Sequence, residues 1–555
     1  MQVTSESTIK GLKKLSEWQK LFAKPEGELY DKLVEIYGND AEFIAQRTSV
    51  WQDALNNAAE FYGADDEVFL SRAGGRINLL GMHVDHRGGH VNPISIGDVI
   101  YVVKPRSDDV VVMRNSDEKF PERQFSIRDL LPNEKVTDWD VWTMAEFRKR
   151  QEEGTAADWS NYVRAPIVYL QFLLTDEGGN FKPALRGMEV FVHGALPIAA
   201  GLSSSSAIVV GMADAILNVN GVEVTQSEYI DLCAIGEWYV GTRGGGGDHA
   251  AIKYCQSNHI GHLGSHPLTV DVAPFPDTHA VILCNSHVTA NKTAGAHNFY
   301  NSRVACYEIG MMLFKKRCPE FGSKITHWRD MQPQLIGADD ATVLEALKCL
   351  PDPISREDIL AELPEERERL DKIFASHDEP ENGYEVRRVC LYGVSECLRS
   401  SMVPERLEAG DIDGFGEIIS VAHDGDRVSV MNGGDRVRIE NHLSDDDYDQ
   451  LIANLRSGDE EKARDAALWL QPGGYNASVD EIDELVDLAL QVEGVAGAGL
   501  TGAGLGGCMI VLVEKAHAQK AVDLLTENYY KARGLEPAAR ICIPTGGANV
   551  LDLGA

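Results

Sequence analysis

The chain has 555 residues and a formal net charge of −34. So acidic a surface repels nucleic acid, anionic lipid and free nucleotide alike, so any phosphate site must create its own local positive potential. Apolar residues make up 44% and charged residues 25%, the composition of a soluble protein of two domains, with three possible. No apolar run approaches the roughly twenty residues of a membrane span, and the first residues lack the apolar core of an export signal. The ten cysteines are scattered without metal-ligand spacing, so a cytoplasmic protein without disulfides, zinc, nucleic-acid or membrane partners is expected.

In chain order, residues 5–63 read as helices. "LKKLSEWQKLF", "GELYDKLVEIYG" and "AEFIAQRTSVWQDALNNAAEFYG" repeat apolar residues at three- and four-residue spacing. Strand-like runs follow in "EVFLSRAG", "VIYVVKP" and "DVVVMRN". Residues 115–160 are polar and look like a surface insertion. "NYVRAPIVYLQFLL" returns to helical spacing, "GMEVFVHGALP" is a strand entering a turn, and "SSSSAIVVGMADAIL" is a helix opened by serines. Residues 225–243 are helical, "HAVILCNS" is a strand, and 296–317 and about 340–420 are mostly helical. The Gly/Asp-rich stretch 424–446 reads as loop. "IDELVDLALQV" is a helix leading to "GVAGAGLTGAGLGGCMIVLV", a glycine loop and then a strand. Mixed strands followed by a helix-rich half that closes with strands make the fold class α+β.

Four segments carry chemistry. "GRINLLGMHVDHRGGH" (75–90) sets arginines, histidines and an aspartate beside the core-like Ile77, Leu79 and Leu80. "LPIAAGLSSSSAIVVG" (196–211) ends a strand, turns at Gly201 and opens a helix with Ser203, Ser204, Ser205 and Ser206 after Leu202. Unpaired N–H groups and the positive end of the helix dipole suit such a start to phosphate, and serine hydroxyls can cap it or reach a metal ion. The motif lacks the lysine of a Walker A loop. "AGLTGAGLGGCMIVLV" (498–513) keeps the backbone bare at Gly502, Gly504 and Gly506. "VGTRGGGGDHAA" (240–251) presents Asp248 on a glycine loop after Gly246, as a proton acceptor requires if a small hydroxyl must come close.

Together these motifs resemble the galactokinase branch of the small-molecule kinases named for galactokinase, homoserine, mevalonate and phosphomevalonate kinases (GHMP kinases). "NYVRAPIVYL", "GEWYVGTRGGGGDHAA", "NKTAGAHNFYNSRV" and "LVDLALQVEGVAGAGLTGAGLGGC" extend the likeness over most of 65–310 and 385–515. The first 60 residues, 115–155 and 320–385 look like additions. The resemblance implies a helical extension over 1–63, an N-terminal lobe over 64–275 with a left-handed βαβ crossover, and a ferredoxin-like C-terminal lobe over 276–555 with helical insertions near 320–385. The active site is expected between the lobes, in a monomer or dimer. The implied reaction moves the γ-phosphoryl group of MgATP to the anomeric hydroxyl of a sugar. By position, Arg76 and Asp248 are the catalytic pair. Met82, His83, Asp85, His86, Arg87, Gly246 and Tyr300 line the sugar. Gly201, Leu202, Ser203 to Ser206, Gly502, Gly504 and Gly506 hold ATP, and Ser205 and Glu237 hold Mg²⁺.

Galactokinases carry glutamate where this chain has Met82 and tyrosine where it has His86. The glutamate of the family contacts the sugar's C6 hydroxyl, and a thioether cannot replace a carboxylate acceptor. With Arg87 and His86 nearby, the pattern resembles plant galacturonokinases, and a uronate carboxylate would meet no opposing charge. The other reading is galactose or a galactose-like sugar, with C6 held through water. A third is a non-catalytic sugar sensor acting through protein binding; the intact serine motif, Arg76 and Asp248 speak against it. Ser206 and His249 are smaller departures, where the family usually has alanine and glutamine.

Overall fold

The computed structural model describes residues 2–3, 8–175, 185–194, 196, 202–289 and 296–554. The chain groups into two compact units that interleave in sequence. Unit 1 holds 1–77, 93–261 and 544–555; unit 2 holds 78–92 and 262–543. Where the sequence reading drew boundaries near 63 and 275, the segment 78–92 groups with the second unit and the C-terminal residues with the first.

Unit 1 is built on a sheet of β1 (Glu67–Asn78), β2 (Pro93–Pro105), β3 (Val110–Asn115), β4 (Arg123–Ser126), β5 (Met188–Gly194) and the terminal strand Asn549–Leu551. The order is terminal strand, β1, β2, β5, β3, β4. β5 runs antiparallel to β2 and parallel to β3. Side chains alternate across the sheet as the pleat requires. Phe69, Val99, Tyr101, Val103, Val190 and Val192 join one core, while Val68, Leu70, Ile100, Val102 and Phe191 join another. The first core is covered by α4 (Trp139–Glu152), α5 (Ser160–Leu173), α6 (Ser204–Asn220) and α7 (Gln226–Ala234). The second is covered by α1 (Leu15–Ala23), α2 (Glu28–Tyr37) and α3 (Ala41–Ala58). The N-terminal helices, which read as an addition, are thus the third layer of the unit. Trp18, Phe22, Leu33 and Trp51 are almost wholly buried in that layer.

One polar cluster ties this layer together. Arg72 and Asp98 are fully buried and paired. Asp98 also accepts from Tyr37 Oη at 2.9 Å and Arg47 Nε at 2.6 Å. Arg72 donates to Gly546 O at 2.6 Å and to Thr545 Oγ1 and Gly97 O at 2.8 Å, which fixes the C-terminal residues to the sheet. Burial works to raise the Asp98 carboxyl pKa, but the charges of Arg72 and Arg47 outweigh it and hold the group below the usual carboxylate range.

Unit 2 carries an antiparallel sheet. β6 (His279–Asn285), β9 (Val495–Thr501), β10 (Cys508–Glu514) and β11 (Ala539–Cys542) lie in the order β9, β10, β6, β11. Its core takes side chains from α9 (Ala296–Arg317), α10 (Val386–Ser401), α12 (Asp480–Ala489) and α13 (Lys515–Leu525). The insertion near 320–385 adds Leu344, Leu347, Ile359 and Leu370 to the same core. α11 (Ile412–Asp426) packs against β9 so closely that a Cβ on Gly497 would lie 2.1 Å from Gly416 O. The stretch 424–446, read as loop, contains a hairpin of β7 (Ser429–Asn432) and β8 (Asp435–Arg438). Gly433 and Gly434 form its two-residue turn at φ +61° and +100°, and such left-handed pairs are what a tight hairpin needs. Among the described residues no helix is long and apolar enough to cross a membrane.

Asp98→Ala leaves Arg72 charged, buried and unpaired, so it should destabilise unit 1 by about 3–5 kcal/mol. Urea unfolding followed by tryptophan fluorescence measures the loss. Arg72→Met combined with Asp98→Leu should recover part of it, because the fully buried charge is then removed with its partner and only the partly exposed Arg47 loses its carboxylate.

Candidate active site

In unit 1, Arg76 lies near the end of β1. Its Nε donates to Asp248 Oδ1 at 2.7 Å and its Nη2 to Oδ2 at 2.9 Å, a bidentate pair. Asp248 does not sit on a free loop as its glycine run suggested. It occupies the first turn of α8 (Gly247–Tyr254), with Gly246 as the residue before the helix. Glycine is required at 246 by space, since a Cβ there would lie 2.4 Å from Ile230 Cγ2. Asp248 Oδ2 also accepts from Ser203 Oγ at 2.5 Å. Burial works to raise the Asp248 pKa. The charge of Arg76, its hydrogen bonds and the Ser203 hydroxyl outweigh that and hold the carboxyl below its ordinary value.

The serine motif meets the same point. Arg76 N donates to Leu202 O at 3.1 Å, and a Cβ on Gly75 would lie 2.6 Å from that oxygen. Ser203 is the N-cap of α6 but adopts the left-handed region at φ +52° and makes no side-chain cap. Its hydroxyl is turned to Asp248 instead. The expected serine cap is therefore absent, and the first-turn N–H groups of α6, beside Ser204, Ser205 and the buried Ser206, have no side-chain acceptor at the N-cap. Gly201 lies outside the described residues. Glu237 is buried in a 3₁₀ turn, Gly236–Val240, with Oε2 3.1 Å from His249 Nε2. No arginine or lysine pairs with it among the described residues, and neither ring nitrogen of His249 has a hydrogen-bond partner. A carboxylate and a serine hydroxyl are the hard oxygen donors that Mg²⁺ takes together with phosphate, so Glu237 and Ser205 fit that ion in kind.

In unit 2, residues 78–92 form a knot of polar contacts. Met82 is buried and its Sδ accepts from Asn78 Nδ2 at 3.0 Å. Gly81 N donates to Glu396 Oε1 at 2.7 Å, and Glu396 is itself paired with Arg399 inside the core. His83 stands at φ +62° and stacks on Tyr475 with ring centroids 4.0 Å apart. Asp85 and His86 lie on an exposed 3₁₀ turn, 3.6 Å apart. Arg87 is buried, lies over the Tyr307 ring at 4.8 Å and donates to Glu308 Oε1 at 2.7 Å. Tyr300, on α9, is half-exposed; burial and the charge of Asp85 push its phenol pKa up, while Arg87 opposes. The structure thus groups His83, Asp85, Arg87 and Tyr300 in one unit and Arg76, Ser203 and Asp248 in the other.

The third motif is a strand, a glycine turn and a second strand. Gly502, Gly504 and Gly506 take φ of +89°, +83° and +122°. A Cβ on Gly504 or Gly506 would strike Ala477 O or Val288 O, whereas Gly502 faces open space. Two of the three glycines are therefore demanded by the protein's own backbone. Sequence reasoning missed Tyr475, Asp426, Glu308 and Glu396. They lie more than 200 residues from the motif they contact, and no local pattern marks them.

Models of known protein families match three parts of the chain. The GHMP kinases N terminal domain matches residues 161–256, the GHMP kinases C terminal domain 451–531, and the galactokinase galactose-binding signature 59–104. The chain carries both GHMP kinase domains and the galactose-binding signature of galactokinases. A galactokinase of Roseiflexus sp. is 24% identical, over 89% of this chain and 95% of its own. One of Schizosaccharomyces pombe is 26% identical, over 94% and 98%. The structure of Lactococcus lactis galactokinase complexed with galactose shares the fold, with a TM-score of 0.58 and 20% identity over 89% of this chain and 98% of that one.

Arg76→Met removes the largest influence that opposes burial at Asp248. The carboxyl should then titrate above its wild-type value. A ¹³C titration of aspartate carboxyls, with Asp248→Asn identifying the signal, reads the direction.

Proposed function

We propose that this GHMP kinase is an ATP-dependent sugar 1-kinase that phosphorylates the anomeric hydroxyl of galactose or a galactose-like neutral sugar. The observation that carries the reading is the Asp248 carboxylate, held ionised by bidentate contact with Arg76 and touched by Ser203 at the head of α6. An ionised carboxylate can accept the proton of an anomeric hydroxyl as the hydroxyl oxygen attacks the γ-phosphorus of ATP. Phosphoryl transfer depends mostly on positioning and charge neutralisation. Arg76 supplies fixed positive charge beside the base, and the first-turn N–H groups and dipole of α6 suit the phosphates. Ser205 and Glu237 would hold Mg²⁺, which when bound neutralises charge on the transferring group. Gly502, with open space beside it, is the residue of the third motif best suited to a ligand's close approach.

His83, Asp85 and Tyr300 are the sugar-facing residues of this reading. A neutral sugar is favoured over a uronate because Arg87, the cation a uronate would need, is already paired with Glu308. Met82 supports the same choice, since its side chain is buried and engaged by Asn78. The sensor reading is disfavoured by a catalytic pair with both members in contact.

Asp248→Asn should lower turnover by ~10²–10⁴-fold while MgATP still binds, as loss of a general base does. Single-turnover kinetics and isothermal titration separate the two effects. In a panel of galactose, galacturonate, glucuronate, N-acetylgalactosamine and arabinose, galactose or N-acetylgalactosamine should give the highest kcat/KM. A clear preference for galacturonate would overturn the neutral-sugar assignment.

A further inference from the structure

His83 is held in an unusual way. Its backbone lies in the left-handed region at φ +62°, which a non-glycine residue adopts only where its surroundings impose it. The side chain is 2% exposed and its ring is nearly parallel to that of Tyr475, at 9°. Buried Nε2 has no hydrogen-bond partner among the described residues, but Asp426 Oδ1 stands 3.4 Å away.

Asp426, the last residue of α11, is almost wholly buried. Its Oδ1 accepts from Ala477 N and its Oδ2 from Tyr392 Oη, both at 3.3 Å. The Tyr392 hydroxyl also stands 3.4 Å from Met82 O, which ties the same contacts to the backbone just before His83. No arginine or lysine pairs with Asp426 among the described residues; the one ionisable base aimed at it is His83. A buried carboxylate is costly unless donors surround it, and a carboxylate only accepts. The imidazole can satisfy it only by presenting Nε2–H.

We propose that Asp426 is a positioning residue for sugar binding. It keeps the proton of His83 on Nε2 and the ring fixed against Tyr475, leaving Nδ1 as the ring atom that meets a sugar hydroxyl. The inference rests on the sugar-kinase reading for its substrate, but the state of the ring can be tested apart from catalysis. Met82 brings no ionisable group to this segment, so the carboxylate that orients the histidine comes from the end of a helix more than 300 residues along the chain.

The test is ¹⁵N NMR of histidine-labelled protein, with the His83 signals assigned by their loss in His83→Gln, alongside steady-state kinetics with D-galactose. In wild type, His83 should show a protonated Nε2. Asp426→Asn, nearly isosteric, can offer an amide N–H to Nε2, so the proton should move to Nδ1. The KM for galactose should then rise about tenfold or more, the scale of one lost hydrogen bond to a buried group. kcat and the KM for ATP should change far less, and Asp426→Glu should restore part of the galactose KM. A wild-type ring with Nε2 unprotonated would overturn the proposal without any variant. So would an Asp426→Asn protein with unchanged His83 signals, or one in which both KM values, kcat and the melting temperature deteriorate together. If wild type phosphorylates no sugar, the sugar-kinase reading fails, and the wild-type spectrum still decides the orientation of His83.

Discussion

The contact on which the first unit's chemistry depends is the bidentate pair between Arg76 and Asp248. A carboxylate in the first turn of a helix is favoured by the helix dipole, but half-enclosed it would be driven toward protonation. Arg76 reverses that balance. It can do so because Gly75 lets β1 run against the backbone of Leu202, so the arginine, the serine turn and the helix start converge. Ser203 then gives its hydroxyl to the carboxylate rather than to its own helix. The first turn of α6 is thereby left without a side-chain acceptor at its N-cap, in a chain of net charge −34.

The second unit solves a different problem. Residues 78–92 close on themselves through backbone bonds such as Leu79 N to Asn92 O, Asn92 N to Leu80 O and Gly89 N to Val84 O, and side chains then fix the segment in the unit. Glu396 holds the Gly81 amide, Asn78 holds the Met82 thioether, and Tyr475 stacks on His83. Glu308 lies between Arg87 and Arg369 and pairs with both. The methionine that looks misplaced in a polar motif is a core residue of this knot. A carboxylate at that position would need new partners in a space where Asn78 and Tyr392 already meet the chain.

Much of this was legible in the sequence. The three-four spacing of apolar residues marked α1 to α3, because burial against one layer imposes that period, and short apolar runs marked β1, β2 and β5, which are covered on both faces. The serine motif read as a phosphate cradle because a strand, a glycine turn and a serine-opened helix leave N–H groups bare, and the kinase expectation came from the resemblance the motifs carry together. What was misread shares one cause. The N-terminal helices looked like an appendage, yet their apolar faces belong to the sheet's second side. Asp248 looked loop-borne because glycines precede it, but a helix can begin directly after such a run. The Gly433–Gly434 turn signal was present in the sequence and was outweighed by the polarity around it.

The sequence by itself determined the α+β pattern of elements and the serine turn, which depend on local spacing and residue chemistry, and its resemblance to the galactokinases pointed to Arg76 and Asp248. Only the tertiary structure decided that Ser203 serves Asp248 rather than its helix, that Arg87 is already neutralised, and that His83 looks to Asp426. Each of those facts is a choice among partners. A side chain's spacing states what it can bond to, but which partner it takes depends on which groups folding brings within about 3 Å of it and strips of water.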